Sequence, residues 1–175
     1  MLAIVFGDDE GRSFLHKMAW LKVDPRAPED EATQQCRAVA ALARDYYLPA
    51  VMVEINGIGQ FLPAILRREM ARMRVPCAVN TRVSTRAKDL RIIEAFDAVL
   101  AAQALHVHES VRRTPFINEM REWRPGRGGG CDDGLDAVAG ALSLKPARLK
   151  YEAFSARQDW HGTGKGLTAQ VDFEV

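Results

Sequence analysis

A layered α/β fold with strands that are at least partly parallel follows from three features of this 175-residue sequence. Short runs rich in β-branched residues alternate with longer amphipathic ones, in the order hairpin, helix, strand, helix, strand. Glycine and proline clusters punctuate the boundaries between them. One run, residues 50–55, is apolar except for Glu54, the pattern of a central strand covered on both faces.

Taken in order, Leu2 to Phe6 reads as a strand, and Gly7-Asp8-Asp9-Glu10-Gly11 as a hairpin turn with glycines where positive φ is needed. Ser13 to Val23 alternates well enough to be the partner strand. Asp24-Pro25-Arg26-Ala27-Pro28 breaks the pattern. A helix follows from about Glu29 to Tyr47, its apolar stripe formed by Cys36, Val39, Ala40, Ala43 and Tyr47. The run from Pro49 to Ile55 is a strand entering the Gly57-Ile58-Gly59 turn, and a helix from about Gly59 to Met73 carries Arg67, Arg68, Glu69 and Arg72 on its polar face. Val75 to Val79 is expected as a strand, then a helix continuing to about Leu100, then a short strand at Leu105-His106-Val107-His108. His106 and His108 would share one face of that strand and read as structural histidines in the absence of a third metal-ligating partner. Helices are expected from about Thr114 to Trp123 and from about Asp133 to Ser143. Between them lies the loop Arg124-Pro125-Gly126-Arg127-Gly128-Gly129-Gly130. From Lys145 the chain mixes Lys, Gly and aromatic residues, and the turn-rich stretch Gln158 to Gly166 leads into a possible final strand, Leu167 to Val175.

Composition narrows the function. Hydrophobic residues make up 47% and charged residues 27%, ordinary for a globular domain. The formal net charge is +1, so any nucleic-acid binding must come from local patches. Cys36, Cys77 and Cys131 are odd in number and widely spaced, which suggests neither a disulfide framework nor a zinc site. There is no P-loop motif and no internal repeat. No apolar run reaches membrane-spanning length and no signal-peptide pattern opens the chain, so the expected setting is cytoplasmic and free of membrane.

The segment Cys131-Asp132-Asp133-Gly134-Leu135-Asp136-Ala137-Val138-Ala139 carries the most chemistry. Asp133 and Asp136 are three apart and project from one helical face. Paired carboxylates suit a hard divalent cation such as Mg²⁺ or Mn²⁺. The plainer alternative is that Asp132 or Asp133 caps the helix while the others are solvated. Glu54 supplies a second acid at the carboxyl end of its strand, where open α/β sheets place ligands. It would otherwise be an exposed strand-end residue or the partner of an arginine. Arg82, Arg86, Lys88 and Arg91 fall within ten residues, interleaved with Ser and Thr, a pattern suited to phosphate-backbone contacts or simply to a solvated surface.

Four segments in order carry a family resemblance: Glu54-Ile55-Asn56-Gly57-Ile58-Gly59, Lys88-Asp89-Leu90-Arg91-Ile92, Asn118-Glu119-Met120-Arg121-Glu122-Trp123 and Asp132-Asp133-Gly134-Leu135-Asp136-Ala137. Together they resemble the C-terminal nuclease domain of tailed-phage terminase large subunits. The Asp-x-x-Asp-Ala ending also looks like that of Holliday-junction resolvases. The resemblance implies a ribonuclease H-like mixed central sheet flanked by helices over residues 1–144. Residues 145–175 would form a C-terminal tail, packed on the domain or binding a partner. It implies a metal-dependent endonuclease that cuts concatemeric double-stranded DNA, with Glu54, Asp133 and Asp136 catalytic and metal-binding and Asp132 assisting. Two Mg²⁺ or Mn²⁺ ions would be the cofactors. Lys88 and Arg91, with Arg86 and Arg82, would lie along the DNA. An ATPase domain, a small terminase subunit and a portal protein would be partners. The sequence departs from the family in its first strand, which normally carries an Asp at its middle. Here Leu2 to Phe6 holds no acid, so that strand would lie upstream of Met1, or Asp8 or Asp9 would supply the acid. The resemblance also leaves open a catalytically impaired fragment that acts as a docking module, and a resolvase-like nuclease.

Overall fold

The computed structural model describes residues 1–55, 57–126 and 132–144. Most of the glycine loop, Cys131, the tail and the possible strand at 167–175 lie outside the described residues.

The fold is α/β, with parallel and antiparallel strand pairs divided between a three-stranded and a two-stranded sheet. Strands β1 (Leu2–Gly7) and β2 (Ser13–Ala19) form an antiparallel hairpin. Its turn is built by Asp8, whose carboxylate accepts the backbone N–H groups of Glu10 and Arg12 at 3.0 and 2.9 Å, and by Gly11 at φ +81°. The register shifts once, so that Ile4 faces Lys17 but Val5 faces Leu15, leaving His16 as the extra residue of a bulge. That bulge explains why Leu15 and Met18, three apart, are both buried. The second strand ends at Ala19 rather than Val23, and Leu21 instead packs against the neighbouring helix cluster.

Helix α1 (Glu31–Asp45) starts at Asp30, whose carboxylate accepts from the Thr33 N–H at 2.9 Å. Cys36, Val39, Ala40 and Ala43 form the expected buried stripe. Tyr47 does not belong to it: the helix has already ended, and the residue sits at φ +51° with its ring in solvent. Strand β3 (Ala50–Glu54) pairs in parallel with β4 (Ala78–Arg82), through α2 (Leu62–Arg72), which follows a single 3₁₀ turn over Gly57–Phe61. The β4 strand lies three residues later than the sequence pattern suggested. The Val75 N–H bonds back to the Met70 carbonyl to close α2, and Pro76 has no N–H to give a ladder.

Helix α3 (Lys88–Ala101) leads to β5 (Leu105–Val107), which adds in parallel to β2. A short helix, α4 (Glu109–Arg112), then precedes α5 (Phe116–Glu122) and α6 (Asp133–Leu142). The short α4 was not expected. His108 creates it by accepting the Ser110 N–H, and Val111 anchors it in the core. His106 stacks on Phe14, and His108 meets His16 ring to ring.

Two apolar clusters hold the layers. Leu15, Ile92, Phe96, Phe116, Leu135 and Val138 join β2 to α3, α5 and α6. Val39, Ala40, Val51, Leu66 and Met70 join α1, α2 and β3. Strand β1 serves both, with Ala3 and Val5 packed on the first cluster and Leu2 on the second. No described helix is long and apolar enough to cross a membrane.

Candidate functional site: carboxylates gathered around two side-chain cations

Glu54, at the end of β3, and Asp136, in the first turn of α6, come together on one guanidinium. Arg91 Nη1 lies 2.9 Å from Glu54 Oε2, and Arg91 Nη2 lies 3.0 Å from Asp136 Oδ1. Lys88, one turn earlier on the same face of α3, holds the other two acids: its Nζ is 2.7 Å from Asp132 Oδ1 and 3.1 Å from Asp133 Oδ1. The first turn of α3 is thus inserted among four carboxylates contributed by β3 and by the start of α6.

The acids differ in surroundings. The Asp133 side chain is 82% exposed, whereas those of Asp132 and Asp136 are 24% and 22% exposed. Burial pushes the Asp136 carboxyl above its ordinary range; Arg91 and Lys88 oppose this, while Glu54 and Asp132 add to it. For Lys88, burial favours loss of the proton, but its hydrogen bonds to Asp132 and Asp133 outweigh that and hold the ammonium above its usual range. Arg91 Nη2 donates to Asp136 Oδ2 at 3.2 Å, while, among the described residues, the buried Asp136 Oδ1 accepts no well-aligned hydrogen bond and the buried Arg91 Nε donates none. Their pairing is charge-satisfying but geometrically incomplete.

Asp132 occupies the N-cap position of α6 yet makes no side-chain cap, because its carboxylate is engaged by Lys88. The cap comes from Glu119 on α5, whose buried carboxylate accepts the Leu135 N–H at 3.2 Å and that of Gly134. A negative charge fits there because the first amides of a helix carry partial positive charge. Burial raises the Glu119 carboxyl above its usual range; the two amides pull it down, and Asp133 and Asp132 push it up again. Glu119 stood inside a motif that the sequence flagged, without a role. The signal that could have found it is Gly134, a glycine at the start of a helix, where something must approach closely.

The four expected DNA-facing cations all have partners within the fold. Arg82 donates to the Ser143 hydroxyl and Arg86 pairs with Glu94. Lys88 and Arg91 are turned onto the acids rather than outward. Asp8 serves the hairpin turn and pairs with Arg12 at 2.6 Å. Among the described residues, no group of three or more His, Cys, Asp or Glu side chains is arranged to hold a metal ion. The chain matches no known protein-family model and no curated protein sequence.

Proposed function

We propose that this chain is a metal-dependent DNA endonuclease domain of the terminase type, built on a ribonuclease H-like sheet. The observation that carries the reading is the meeting of Glu54 with Asp136: residues far apart in sequence, on a strand end and a helix start, converge on one point. The order of the four resembling segments, the antiparallel hairpin and the parallel β3–β4 pair are compatible with that fold.

The donor set consists of carboxylate oxygens, which in kind suits a hard divalent cation. Glu54, Asp133 and Asp136 would hold it, assisted by Asp132, only once these side chains leave Arg91 and Lys88, since among the described residues no three acids are arranged around a metal position. Bound there, such an ion would supply a water of lowered pKa and neutralise charge on the leaving 3′ oxygen. Arg82 and Arg86 would take the phosphates of double-stranded DNA without reading its sequence. Glu119 acts at one remove by fixing the helix start that carries three of the acids.

The test is nicking of supercoiled plasmid in Mn²⁺. Wild-type protein is expected to convert it to open circles, and Glu54→Ala to leave it intact. Robust cutting that survives Glu54→Ala would remove Glu54 from the chemistry and the reading with it. The cations lodged on the acids favour one alternative, a catalytically impaired domain that works by docking to portal or motor partners. Wild-type protein that leaves plasmid intact and gives no heat with Mn²⁺ would support it.

A further inference from the structure

We propose that the open edge of β4 is a docking surface for the phosphate backbone of double-stranded DNA, with Arg67 and Arg82 as its two cations. The inference rests on the reading above for its partner and adds the surface that carries it. Residues 70–88, from the end of α2 to the start of α3, hold five cations and no Asp or Glu. Among the described residues, β4 pairs with β3 alone. The Ala78 N–H donates to the Pro49 carbonyl and the Arg82 carbonyl accepts the Ile55 N–H, so alternate residues face β3. Val79 and Thr81 therefore turn their backbone groups to the open edge. Arg67, exposed on α2, reaches that edge, its Nη2 donating to the Val79 carbonyl at 2.9 Å. This bond closes part of the edge to a further strand. It leaves the guanidinium charge uncompensated, because a carbonyl is neutral. Arg82, three residues along, is likewise held by a neutral acceptor, the Ser143 hydroxyl. Neither arginine pairs with an acid among the described residues, unlike Arg86 on Glu94, Lys88 on Asp132 and Asp133, and Arg91 on Glu54 and Asp136. Glu54, opposite Arg82 in the ladder, has a carboxylate oxygen on Arg91. The two anchor points lie about 10 Å apart along the strand, the length of about three phosphates of one DNA strand along its axis. Exposed Asn80 and Thr81 stand between them, with side chains of the kind that donate to phosphate oxygens.

Anisotropy titration of a short labelled DNA duplex with the full chain, in EDTA and across a salt series, reads binding apart from cutting. Arg67→Gln keeps an N–H for the Val79 carbonyl and removes the charge. It should weaken binding about fivefold at low salt. It should also flatten the plot of log K against log salt by about one unit, and Arg82→Gln should do the same. Two duplexes of unrelated sequence should respond equally. Arg113→Gln, at an exposed cation paired with Glu109, should leave binding unchanged. A measurement on unmodified protein covers a variant that fails to fold: adding duplex should shift the Arg67 and Arg82 Nε–H resonances. Unchanged affinity and slope in folded Arg67→Gln, no binding by wild type at low salt, or resonances that stay in place while duplex binds would each overturn the proposal. Displacement of the duplex by poly-glutamate at equal charge concentration would also overturn it, giving the edge to an acidic protein. Binding that depends on Arg67 without nicking by wild-type protein would uphold this inference and refute the nuclease reading. Glu54-dependent nicking with wild-type binding by Arg67→Gln would do the reverse.

Discussion

Gly134→Ala gives the sharpest test of how the acid-bearing helix is held. A β-carbon built on Gly134 would stand 2.4 Å from Glu119 Oε2, 3.1 Å from its Cδ and 3.2 Å from Oε1. Ordinary carbon–oxygen contacts begin near 3.3 Å, so the carboxylate must retreat by roughly 1 Å. A flexible side chain in water would do so at little cost. Glu119 is buried, and the retreat would stretch its 3.2 Å bond to the Leu135 amide beyond hydrogen-bonding range. A hydrogen bond to a charged group contributes about 1.5–3 kcal/mol. Alanine would return up to about 1 kcal/mol through its better helix propensity. The expected net loss is therefore about 1–2 kcal/mol, or a fall in Tm of roughly 2–8 °C for a chain of this size.

Urea denaturation of four proteins separates this cause from others: wild type, Gly134→Ala, Glu119→Ala and the double variant. If the clash with Glu119 is what matters, Gly134→Ala should be neutral or slightly stabilising once Glu119 has become alanine. The cycle would then show a coupling energy of about 2 kcal/mol. A Gly134→Ala protein as stable as wild type, or one that loses the same amount in both backgrounds, would refute the reasoning.

Glu119 itself has a pH signature. Its carboxyl is raised in the folded state, so the fold holds this proton longer than the unfolded chain does, and stability falls as pH rises from about 4.5 through the folded value. Glu119→Gln keeps an amide oxygen for the helix start and removes the titration. Its stability relative to wild type should increase with pH above about 4.5 and show no trend below it, as read from urea midpoints across pH 4–7. Glu69 tests a different junction: its side chain is 4% exposed and joins Arg37 on α1 at 3.2 Å to Arg72 on its own helix at 3.3 Å. Glu69→Ala is expected to cost about 2 kcal/mol and to speed amide exchange at the α1–α2 contact, with Glu69→Gln costing less.

Features governed by local chemistry were legible in the sequence. Gly11 and Asp8 marked the hairpin turn, the spacing of Cys36, Val39, Ala40 and Ala43 gave the buried stripe of α1, and the apolar run ending in Glu54 gave β3. What could not be read depended on partners distant in the chain. The bulge at His16 arises from how β1 and β2 register, and neither strand's pattern betrays it. Val75 looks like a strand residue by type, but its amide is taken by the last turn of α2. For the site, Glu54 was expected beside both Asp133 and Asp136; Glu54 and Asp136 lie against Arg91, while Asp133 pairs with Lys88. The same reasoning turned Lys88 and Arg91 outward toward phosphate, because a basic run gives no sign of which anions the fold will set against it. Glu119 was hidden for the same reason: its role exists only because α5 delivers it to the first amides of α6.

The protein contains two ion networks, and the contrast between them bears on what the second one is for. Around Glu69 a single buried carboxylate is surrounded by Arg37, Arg72 and Arg68, whose side chains keep substantial contact with water. The buried charge there is more than compensated, as a structural junction between two helices requires. Around Arg91 the balance is reversed. Four carboxylates lie on Lys88 and Arg91, one of them, Asp133, mostly exposed to solvent, and a fifth carboxylate, Glu119, sits against the same helix start. Like charges this close repel one another, so each added acid raises the repulsion within the cluster. The acids gathered there from three separate elements are the reason the proposed reading assigns this cluster, and not the Glu69 junction, to a cation from outside.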